Sequence, residues 1–377
     1  MKQGWTYMRL GDIASIKSGK SISAKDILTD SLFPCYGGNG IRGYVENYNY
    51  DGECPIIGRV GALCGNVHLA KGKFYATEHA LVVELNNQNV DPKWLSYQLI
   101  ALNLRNIAKG AAQPVIAASE VAKRSIHIPP LTEQERIVER LDAAFAQIDE
   151  LKSNAEKQLA EARALFQSAL TQVMQPKPGW QEKTLKEITT KIGSGATPRG
   201  GKSVYIETGV ALIRSMNVHN GYFKYDNLAH ISDEAATLLN GVELKQNDVL
   251  FNITGASIAR CCVVPDDVLP ARVNQHVAII RPIAVIVDPR FLSYVLISKT
   301  HQNELLSIGL SGATRQALTK KDLENHIVSL PTNHKQKEIL DILDNFSLKV
   351  RELEEISRKT AAECDVLKQA LLRQIFE

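Results

Sequence analysis

The sequence predicts an α+β protein built from two homologous globular segments and two long helices. Three observations predict this class. The chain repeats itself in the same order, a glycine-free helical stretch follows each globular stretch, and the globular stretches contain short β-rich runs between turns. With 377 residues, 44% hydrophobic and 23% charged, the chain has an ordinary globular composition and is long enough for more than one domain.

The repeat is visible in three places along the chain. The repeated strings are IPPLTEQERIVERLD (128–142) with LPTNHKQKEILDILD (330–344) at an offset of 202, DPKWLSYQLI (91–100) with DPRFLSYVLI (288–297) at 197, and Gly4-Trp5 with Gly179-Trp180 at 175. The order never reverses while the offset grows. The chain is therefore a tandem duplication whose two copies differ by insertions in their front portions.

Two globular segments, residues 1–131 and 177–332, alternate with two helical segments, residues 132–176 and 333–377. The β-rich runs are CPIIGRV, ALVVEL, DVLFNIT, RCCVVP and HVAIIRPIAVIV. Helical runs also occur, notably WLSYQLIALNLRNIA and its counterpart FLSYVLISKTHQNELLSI. We expect each globular segment to be a mixed α/β domain with a curved, mostly antiparallel sheet.

The first helical segment is rich in Glu, Gln, Ala, Leu and Arg, which favour helices. Its apolar residues fall on two seven-residue repeats, one of Val138, Phe145, Leu159, Phe166 and Val173 that is broken at Lys152, and one of Leu141, Ile148, Ala155, Ala162 and Ala169. The second segment repeats this with Ile339, Leu343, Phe346, Val350, Leu353, Ile356, Cys364, Leu367, Leu371 and Ile375. Thr132 with Glu135 predicts a capping box, and Pro176 ends the run.

Each long helix needs a partner for its apolar stripe, and the other helix is the natural one. About 43 residues would span roughly 65 Å, which suits a spacer better than part of a small domain. The two helices are expected to form an antiparallel coiled coil that separates the globular segments. An antiparallel pair of homologous helices carries a pseudo-two-fold axis.

Composition limits the remaining possibilities. The net charge is +3, and the basic excess falls in the two globular segments, which permits contact with nucleic acid. No apolar run reaches the roughly 18 to 20 residues of a membrane span, and no secretory signal is visible, so we expect a cytoplasmic protein. The six cysteines form no C-x-x-C pair and do not repeat between the copies, so they are interpreted as reduced, mostly buried thiols.

Catalytic motifs are incomplete. SGKS (18–21) resembles the end of a phosphate-binding loop, but Ala14 stands where the first glycine is needed, which favours a surface turn. His79 and His276 occupy matching positions, yet no matched Asp, Ser or Cys lies beside both, which favours structural histidines. A duplicated protein without duplicated catalytic residues points to recognition performed twice. No metal site or cofactor is predicted.

Loops rich in Gly, Asn, Tyr, Lys and Arg supply candidate nucleic-acid contacts. Arginine suits guanine, Asn suits adenine, and lysine suits phosphates. The candidates are Lys17, Lys20, Asn39, Arg42, Arg59, Lys71 and Lys73 in the first segment and Arg199, Lys202, Arg214, Asn217, Lys224 and Arg315 in the second. Any single one is also compatible with an ordinary polar turn.

Several of these strings together resemble the specificity subunit of type I restriction-modification systems over the whole chain. They are GW followed by L-x-x-I at the start of each copy, YGGNGIRGYVENYNYDGE, IIGRVGALCGNV, SGATRQALTKKDL, and IPPLTEQERIVERLD before a long helix. The second junction departs from the family pattern, because LPTNHKQ lacks the second proline and the acidic residue before Gln336.

The resemblance implies a non-catalytic subunit with two target recognition domains. Each domain would read one half of an asymmetric, split site in double-stranded DNA, the first domain reading the 5′ half. The helices would set the unspecified gap and dock two modification subunits, which carry the S-adenosylmethionine chemistry. Restriction subunits, which combine an ATP-dependent motor with a nuclease, would join through them.

Two other classes stay open at this point. One is a self-contained DNA methyltransferase or nuclease on the same scaffold, which would bind S-adenosylmethionine or cut DNA alone. The other is a coiled-coil adaptor without a DNA role, whose DNA affinity would lack the salt dependence that lysine and arginine contacts produce.

Overall fold

A computed structural model of the protein describes residues 4–110, 113–310 and 317–376. The chain divides into two compact units, Met1–Glu156 with Ser357–Glu377, and Lys157–Ile356. Each unit contains one globular segment and part of each of two 44-residue helices. The α+β class with two mixed globular segments and two long helices is confirmed, while the division at residues 131, 176 and 332 stays a prediction.

The first globular segment contains three helices and ten strands within its described residues. In chain order they are β1 (Thr6–Arg9), α1 (Leu10–Ile13), β2 (Ala14–Ser18), β3 (Phe33–Gly37), β4 (Gly40–Val45), β5 (Tyr50–Asp51), β6 (Cys54–Gly58), β7 (Val67–Ala70), β8 (Lys73–Ala76), β9 (Ala80–Leu85), α2 (Pro92–Ala101), α3 (Ala118–Ala122) and β10 (Ser125–Ile128). The strands form an antiparallel sheet β2-β9-β6-β7, a sheet β4-β3-β8-β5, and a β1-β10 pair.

Helix α4 (Leu131–Met174) leads into the second globular segment. Its elements are β11 (Gln181–Thr184), β12 (Thr189–Ser194), β13 (Val210–Ile213), β14 (Val218–His219), β15 (Tyr222–Phe223), β16 (Ala229–Ile231), α5 (Asp233–Thr237), β17 (Val249–Asn252), β18 (Cys261–Val263), β19 (Ala271–Val273), β20 (Val277–Pro282), α6 (Pro289–Ile297), α7 (Lys299–Leu310), α8 (Lys320–Asn325) and β21 (Ile327–Leu330), followed by α9 (Asn333–Phe376). The sheets are β12-β20-β17-β18, β16-β13-β19, β14-β15 and β11-β21.

The two segments share their main pairings. The order β2-β9-β6-β7 matches β12-β20-β17-β18, β1-β10 matches β11-β21, and the parallel pair β3-β8 matches β13-β19. The predicted β-rich runs are strands, but the expectation of a single curved sheet in each segment is wrong. Each segment contains a second sheet, which covers one face of the first sheet, while a helix covers the other face.

The burial of neighbouring residues shows how both faces are covered. Ile56 and Ile57 are both fully buried although they point to opposite faces of β6. Ile56 packs with Phe74 of the second sheet, and Ile57 packs with Trp94 of α2. In the second unit Phe251 and Leu250 divide between two cores in the same way. A strand buried on both faces reads as a continuous apolar run, which is why CPII lacks alternation.

Helix α4 begins at Leu131, one residue before the predicted start, so Thr132 lies inside the helix and the predicted capping box is wrong. The carbonyl of Pro130 accepts hydrogen bonds from the N–H groups of Glu133 and Gln134, at 2.9 and 3.1 Å. A proline carbonyl can start the helix although the proline ring cannot continue one from its own N–H. The helix ends at Met174, before Pro176, as predicted.

Gln134 and Gln336 explain why similar strings, residues 128–142 and 330–344, precede and begin the two long helices. The Oε1 atom of Gln134 accepts from the N–H of Asp91 at 2.8 Å, and its Nε2 donates to the carbonyls of Asn89 and Pro129, both at 2.8 Å. Gln336 makes the same three contacts: Oε1 with the Asp288 N–H at 2.9 Å, and Nε2 with the Ile286 and Pro331 carbonyls, both at 3.1 Å. Both side chains are buried. Each amide therefore joins the start of a long helix to its globular segment.

A second repeated contact lies two turns further along each helix. Asp142 accepts from Lys93 Nζ and from the hydroxyl of Tyr97, both at 2.5 Å. Its counterpart Asp344 accepts from Arg290 at 2.7 Å and from Tyr294 at 2.8 Å. Burial and the hydrogen bond to the aspartate raise the pKa of both tyrosines, so they stay protonated donors. Helix and globular segment are thus connected twice in each unit.

Within each unit the helix segments run antiparallel. In the first unit Asp149 pairs with Lys368 at 2.5 Å and Lys152 pairs with Asp365 at 3.3 Å. In the second unit Arg163 pairs with Glu354 at 2.6 Å and Phe166 packs on Phe346 with ring centroids 5.6 Å apart. The predicted antiparallel pairing is present in both.

Most predicted seam residues are buried or partly buried, but Ile356 and Leu367 are 56% and 48% exposed and do not belong to the seam. Leu340, Ser357 and Leu372 are buried instead. An ideal helix has 3.6 residues per turn, so its buried stripe drifts away from a strict seven-residue repeat.

All six cysteines are buried and free, as predicted. Burial raises the pKa of Cys54 to about 11 and that of Cys261 to about 12, so both stay thiols at neutral pH.

Candidate nucleic-acid interface

The matched histidines lie in a tight turn before β9 in the first unit and before β20 in the second. The N–H of His79 donates to the hydroxyl of Thr77 at 3.4 Å, and the N–H of His276 donates to the side-chain oxygen of Asn274 at 3.2 Å. Thr77 and Asn274 are both buried. Each turn is therefore held by the side chain two residues before its histidine.

A glycine crosses over each turn at the same place. A Cβ atom on Gly19 would lie 2.0 Å from the carbonyl oxygen of Ala76, and one on Gly195 would lie 2.1 Å from that of Val273. Only glycine fits such contacts. The SGKS string is thus a close crossing of two backbone segments, with Ser18 at the end of β2 and Lys20 bridged to Thr77, and not the surface turn predicted for it.

A second loop lies beside each turn, at residues 59–66 and 253–260. The N–H of Arg59 donates to the carbonyl of His79 at 2.8 Å, and the N–H of Ile253 donates to that of His276 at 3.0 Å. Both loops therefore attach to the histidine turn through the same backbone contact.

These loops close in the same way although their sequences differ. The N–H of Gly65 donates to the carbonyl of Gly58 at 2.8 Å, and the N–H of Ala259 donates to that of Asn252 at 2.8 Å. Gly65 has φ 91° and Ala259 has φ 65°, so alanine adopts a left-handed conformation that normally favours glycine. Matched loops thus share a backbone path but differ in side chains: Gly58, Arg59 and Asn66 correspond to Asn252, Ile253 and Arg260.

Four predicted contacts gather around the turn of the first unit, namely Lys20, Asn39, Arg42 and Arg59. The N–H of Lys20 donates to Ala76 at 3.0 Å, and the N–H of Thr77 donates to Tyr36, next to the 37–40 loop, at 2.9 Å. Lys20, Asn39 and Arg42 are exposed, and Arg59 is half-buried with its guanidinium donating to the Glu78 carbonyl at 3.4 Å. Asn39 also accepts from Asn66 at 2.8 Å.

The other predicted residues of the first unit lie elsewhere or are already paired. Lys17 is exposed on β2, three residues before Lys20. Lys71 pairs with Glu53 at 2.9 Å, and Lys73 stands 4.8 Å from the ring centre of Tyr48. Lys73 begins β8, whereas the histidine turn follows the end of that strand, so Lys71 and Lys73 are separated from the cluster.

In the second unit the predicted residues fall on two loops. Arg199 and Lys202 are exposed beside the turn at Gly201–Val204. Lys224 is exposed and pairs with Asp226 at 3.3 Å. Arg214 is half-buried, donates to the carbonyl of Asn227, and lies 5.5 Å from the ring centre of Tyr205. Arg315 lies outside the described residues.

Asn217 is fully buried, so its side chain is closed off from any external ligand. Its Nδ2 donates to the carbonyls of Lys224 and Asp226 at 2.9 and 3.3 Å, and its Oδ1 accepts from the N–H of Arg214 at 3.1 Å. These bonds fix the path of the 214–228 loop. Asn217 therefore shapes this loop in the structure, and the DNA contact predicted for it does not fit its position.

A groove of about 350 Å³ between the β14–β15 hairpin and the helix pair of the second unit contains basic residues that were not predicted. It is lined by Arg163, His219, Asn220, Tyr222, Arg260 and Arg351, among others. Burial and the nearby Arg260 lower the pKa of His219, so this histidine is neutral at pH 7. Arg260 corresponds to Asn66, so the matched loops carried a signal that the search for basic strings missed.

Within residues 4–110, 113–310 and 317–376, one group of three side chains is spaced so that it could hold a metal ion: His301, Glu304 and His326. The Nδ1 atom of His301 and the Nε2 atom of His326 are 2.9 Å apart and share a hydrogen bond. The Oε1 atom of Glu304 lies 3.8 Å from Nδ1 of His326, which is the ring nitrogen not bonded to His301. One candidate ligand atom from each of the three residues lies within 4.8 Å of the other two, but the imidazole nitrogens that face each other already share a hydrogen bond.

We expect the second unit to lose stability in acid through His326. Burial lowers the pKa of His326 from 6.5 to about 4, so the unfolded chain takes up the proton first as pH falls. Burial also lowers the pKa of His301, its hydrogen-bond partner, to about 4, so the stability that depends on the neutral pair is complete above pH 6.5 and is lost as pH falls from 6.5 to 4. Urea unfolding at pH 7 and pH 5 measures it.

The variant His326→Gln should show a smaller loss between these two pH values. His334→Gln, at an exposed position on α9, is the matched control and should behave like the wild type. An unchanged pH dependence in His326→Gln would contradict the assignment.

Within the ranges that the structure describes, no helix is both long enough and apolar enough to cross a membrane.

The fold and the paired loops define a class of protein: a duplicated α+β scaffold in which two loops with the same backbone path carry different side chains. The sequence model of the type I restriction modification DNA specificity domain matches residues 2–161 and 177–363. The chain therefore belongs to this family.

Individual relatives match parts of the chain. The Escherichia coli EcoprrI specificity subunit is 44% identical over 138 residues, covering 35% of this chain and 34% of that protein. The Escherichia coli EcoBI specificity subunit is 28% identical over 276 residues, covering 66% and 57%. The alignments thus span about a third and somewhat more than half of these relatives.

Two solved structures resemble the fold over nearly the whole chain. One, described as "Structural basis underlying complex assembly and conformational transition of the type I R-M system", has a TM-score of 0.72 at 22% identity and covers 99% of this chain and 97% of that chain. The other, the HsdS subunit from Thermoanaerobacter tengcongensis, has a TM-score of 0.51 at 21% identity and covers 100% and 97%. At these identities the likeness concerns the fold alone.

Proposed function

We propose that this protein is the DNA-binding specificity subunit of a type I restriction-modification complex. Residues 1–131 and 177–332 act as target recognition domains, each of which reads one half of an asymmetric, split site in double-stranded DNA, the first domain the 5′ half. Residues 132–176 and 333–377 form the spacer helices. The observation that supports this best is the shared backbone path of loops 59–66 and 253–260, which lie beside the two histidine turns and carry unlike side chains at matched positions.

The exposed basic and amide side chains around these turns supply the proposed DNA contacts. In the first domain Lys20, Asn39, Arg42 and Arg59 form the central set, with Lys17, Lys71 and Lys73 contributing positive charge. In the second domain the set is Arg199, Lys202, Arg214, Lys224 and Arg315, with Arg260 added. We leave Asn217 out because it is buried.

The subunit is proposed to be non-catalytic. The two matched histidines have different surroundings: His79 lies 3.5 Å from Glu78, whereas Nδ1 of His276 lies 2.7 Å from the hydroxyl of Thr254. A catalytic group used twice would need the same partners in both copies. The chemistry is assigned to modification subunits, which carry S-adenosylmethionine, and to restriction subunits, which join through them.

The spacer helices are proposed to dock two modification subunits, one on each matched surface. Leu165 and Leu367 occupy the same position in the two copies and are 61% and 48% exposed. Exposed leucines at equal positions of duplicated helices suit a partner that binds the same way twice.

DNA binding supplies the direct test. In complex with its modification subunits, the protein should bind duplexes that carry its methylated genomic sites, with an affinity that falls steeply as salt rises. Lys20→Gln should reduce the slope of log K against log salt by about 1, whereas Arg42→Gln, at a position proposed to read a base, should cost about 1 to 3 kcal/mol of binding and relax the base preference. Titrations at several salt concentrations measure this slope.

The matched control is Lys123→Gln, which removes an exposed lysine that directly follows α3, pairs with Glu120 and lies outside the proposed set, and it should leave the slope unchanged. Salt-independent binding would favour the adaptor class. Binding of S-adenosylmethionine or cleavage of DNA by the purified subunit alone would favour a self-contained enzyme.

A further inference from the structure

Two ion pairs between the long helices occupy matched positions but carry reversed charges. In the first unit Lys152 of α4 pairs with Asp365 of α9 at 3.3 Å. In the second unit Arg163 of α4 pairs with Glu354 of α9 at 2.6 Å. At the offset of 202 residues, Lys152 corresponds to Glu354 and Arg163 corresponds to Asp365. Helix α4 is therefore basic at both positions, and α9 is acidic at both.

The apolar seam between the helices does not by itself decide which helix pairs with which. The seam residues Ile148 and Ala162 of α4 correspond to Val350 and Cys364 of α9, so each helix offers one branched and one small residue at the same places. In the first unit Cys364 lies against Ile148, with Sγ 3.6 Å from its carbonyl oxygen. Two copies of α4 could form a similar antiparallel seam.

We propose that the reversed charges make α4 pair with α9 and prevent like helices of two chains from pairing. In an antiparallel α4–α4 pair, Lys152 of each chain would face Arg163 of the other. In an α9–α9 pair, Glu354 would face Asp365. Two chains that exchanged partners would keep the same number of helix pairs but replace attractive contacts with repulsive ones. Charges that flank an apolar seam are a known determinant of partner choice in coiled coils.

Reversing one ion pair in the full-length protein tests the proposal. The variant K152D/D365K keeps an attractive pair within the chain. In an α4–α4 pair of this variant, the carboxylate introduced at position 152 would face Arg163 of the other chain, and this contact is now attractive. We expect the dissociation constant for dimer formation to fall at least about tenfold relative to the wild type, with the gain lost at high salt. Sedimentation velocity over a range of concentrations measures it.

Two further variants serve as matched controls. D149K/K368D reverses an ion pair whose corresponding residues, Arg351 and Phe166, do not carry the reversed pattern, so it should dimerise like the wild type. Reversing both pairs, as K152D/D365K/R163E/E354R, makes α4 acidic at both positions and should restore the wild-type dissociation constant. This recovery distinguishes the proposal from simple destabilisation of the α4–α9 pair, because four destabilising substitutions should have a larger effect than two and would not restore the wild-type value.

A proximity measurement identifies which helices meet in the dimer. Because the six native cysteines are buried, a single exposed cysteine introduced in place of Gln158 can be labelled with pyrene. Excimer emission should appear in K152D/D365K and be absent in the quadruple variant. If K152D/D365K does not fold, R163E/E354R provides the same test from the second unit. Equal dimerisation of the wild type, both single reversals and the quadruple reversal would overturn the proposal.

Discussion

Replacement of Gln134 by alanine is expected to lower the free energy of unfolding of the first unit by about 2 to 4 kcal/mol. The substitution removes three hydrogen bonds and leaves the N–H of Asp91 and the carbonyls of Asn89 and Pro129 without their partner. A buried polar group that loses its partner costs about 1 to 3 kcal/mol, and solvent entering the site offsets part of the sum. Chemical denaturation measures the loss.

The second unit offers an independent copy of this experiment. Gln336→Ala removes the equivalent contacts with Asp288, Ile286 and Pro331, so the losses in the two units should be similar in size. Gln158→Ala is the control, because Gln158 is an exposed residue of the same long helix as Gln134. Alanine favours a helix at least as well as glutamine, so the control should lose no stability, and a loss in the control equal to that of Gln134→Ala would contradict the role of the buried amide.

Shortening both helices in register should change the gap between the two half-sites that the proposed function requires. Deletion of residues 153–159 and 355–361 removes one heptad from each helix, about 10 Å of length, which corresponds to at most about three base pairs. The seven-residue period preserves the apolar seam. We expect a shorter permitted gap and unchanged bases in each half-site, as read by sequencing methylated DNA from cells that carry the variant complex.

A single-helix deletion is the control for this change. Removing residues 153–159 alone breaks the register between α4 and α9, so it should abolish methylation and leave no shifted site. Altered bases together with an unaltered gap in the double deletion would contradict the spacer role of the helices.

The long helices were predictable because their signal accumulates over 44 residues, so errors at Ile356 and Leu367 did not obscure it. The second sheet was not predictable in the same way. The run CPII is compatible with burial on both faces of a strand, but it does not say whether a helix or another sheet provides the cover. That depends on distant elements such as β8.

The candidate site shows a similar division. Lys20 and Arg42 were recognisable because a glycine-rich loop holds basic residues, and both are exposed. Asn217 appeared equally suitable, but its side-chain amide forms hydrogen bonds with the backbone of its own loop. Polar residues in turns commonly form such local hydrogen bonds. Arg260 was missed because loop 253–260 follows the same backbone path as loop 59–66 but has a different sequence. In loop 253–260, Ala259 takes the left-handed conformation that Gly65 takes in loop 59–66.

The buried glutamines also bear on how new specificities arise. Since Gln134 and Gln336 fix each helix entry with the same three hydrogen bonds, neither joint uses a side chain from the variable loops. Recombination or mutation can therefore change the side chains of the proposed DNA-contacting loops while the attachment of each helix to its globular segment stays the same. The repeated sequence around Gln134 and Gln336 thus allows the recognised bases to change without a change in the scaffold.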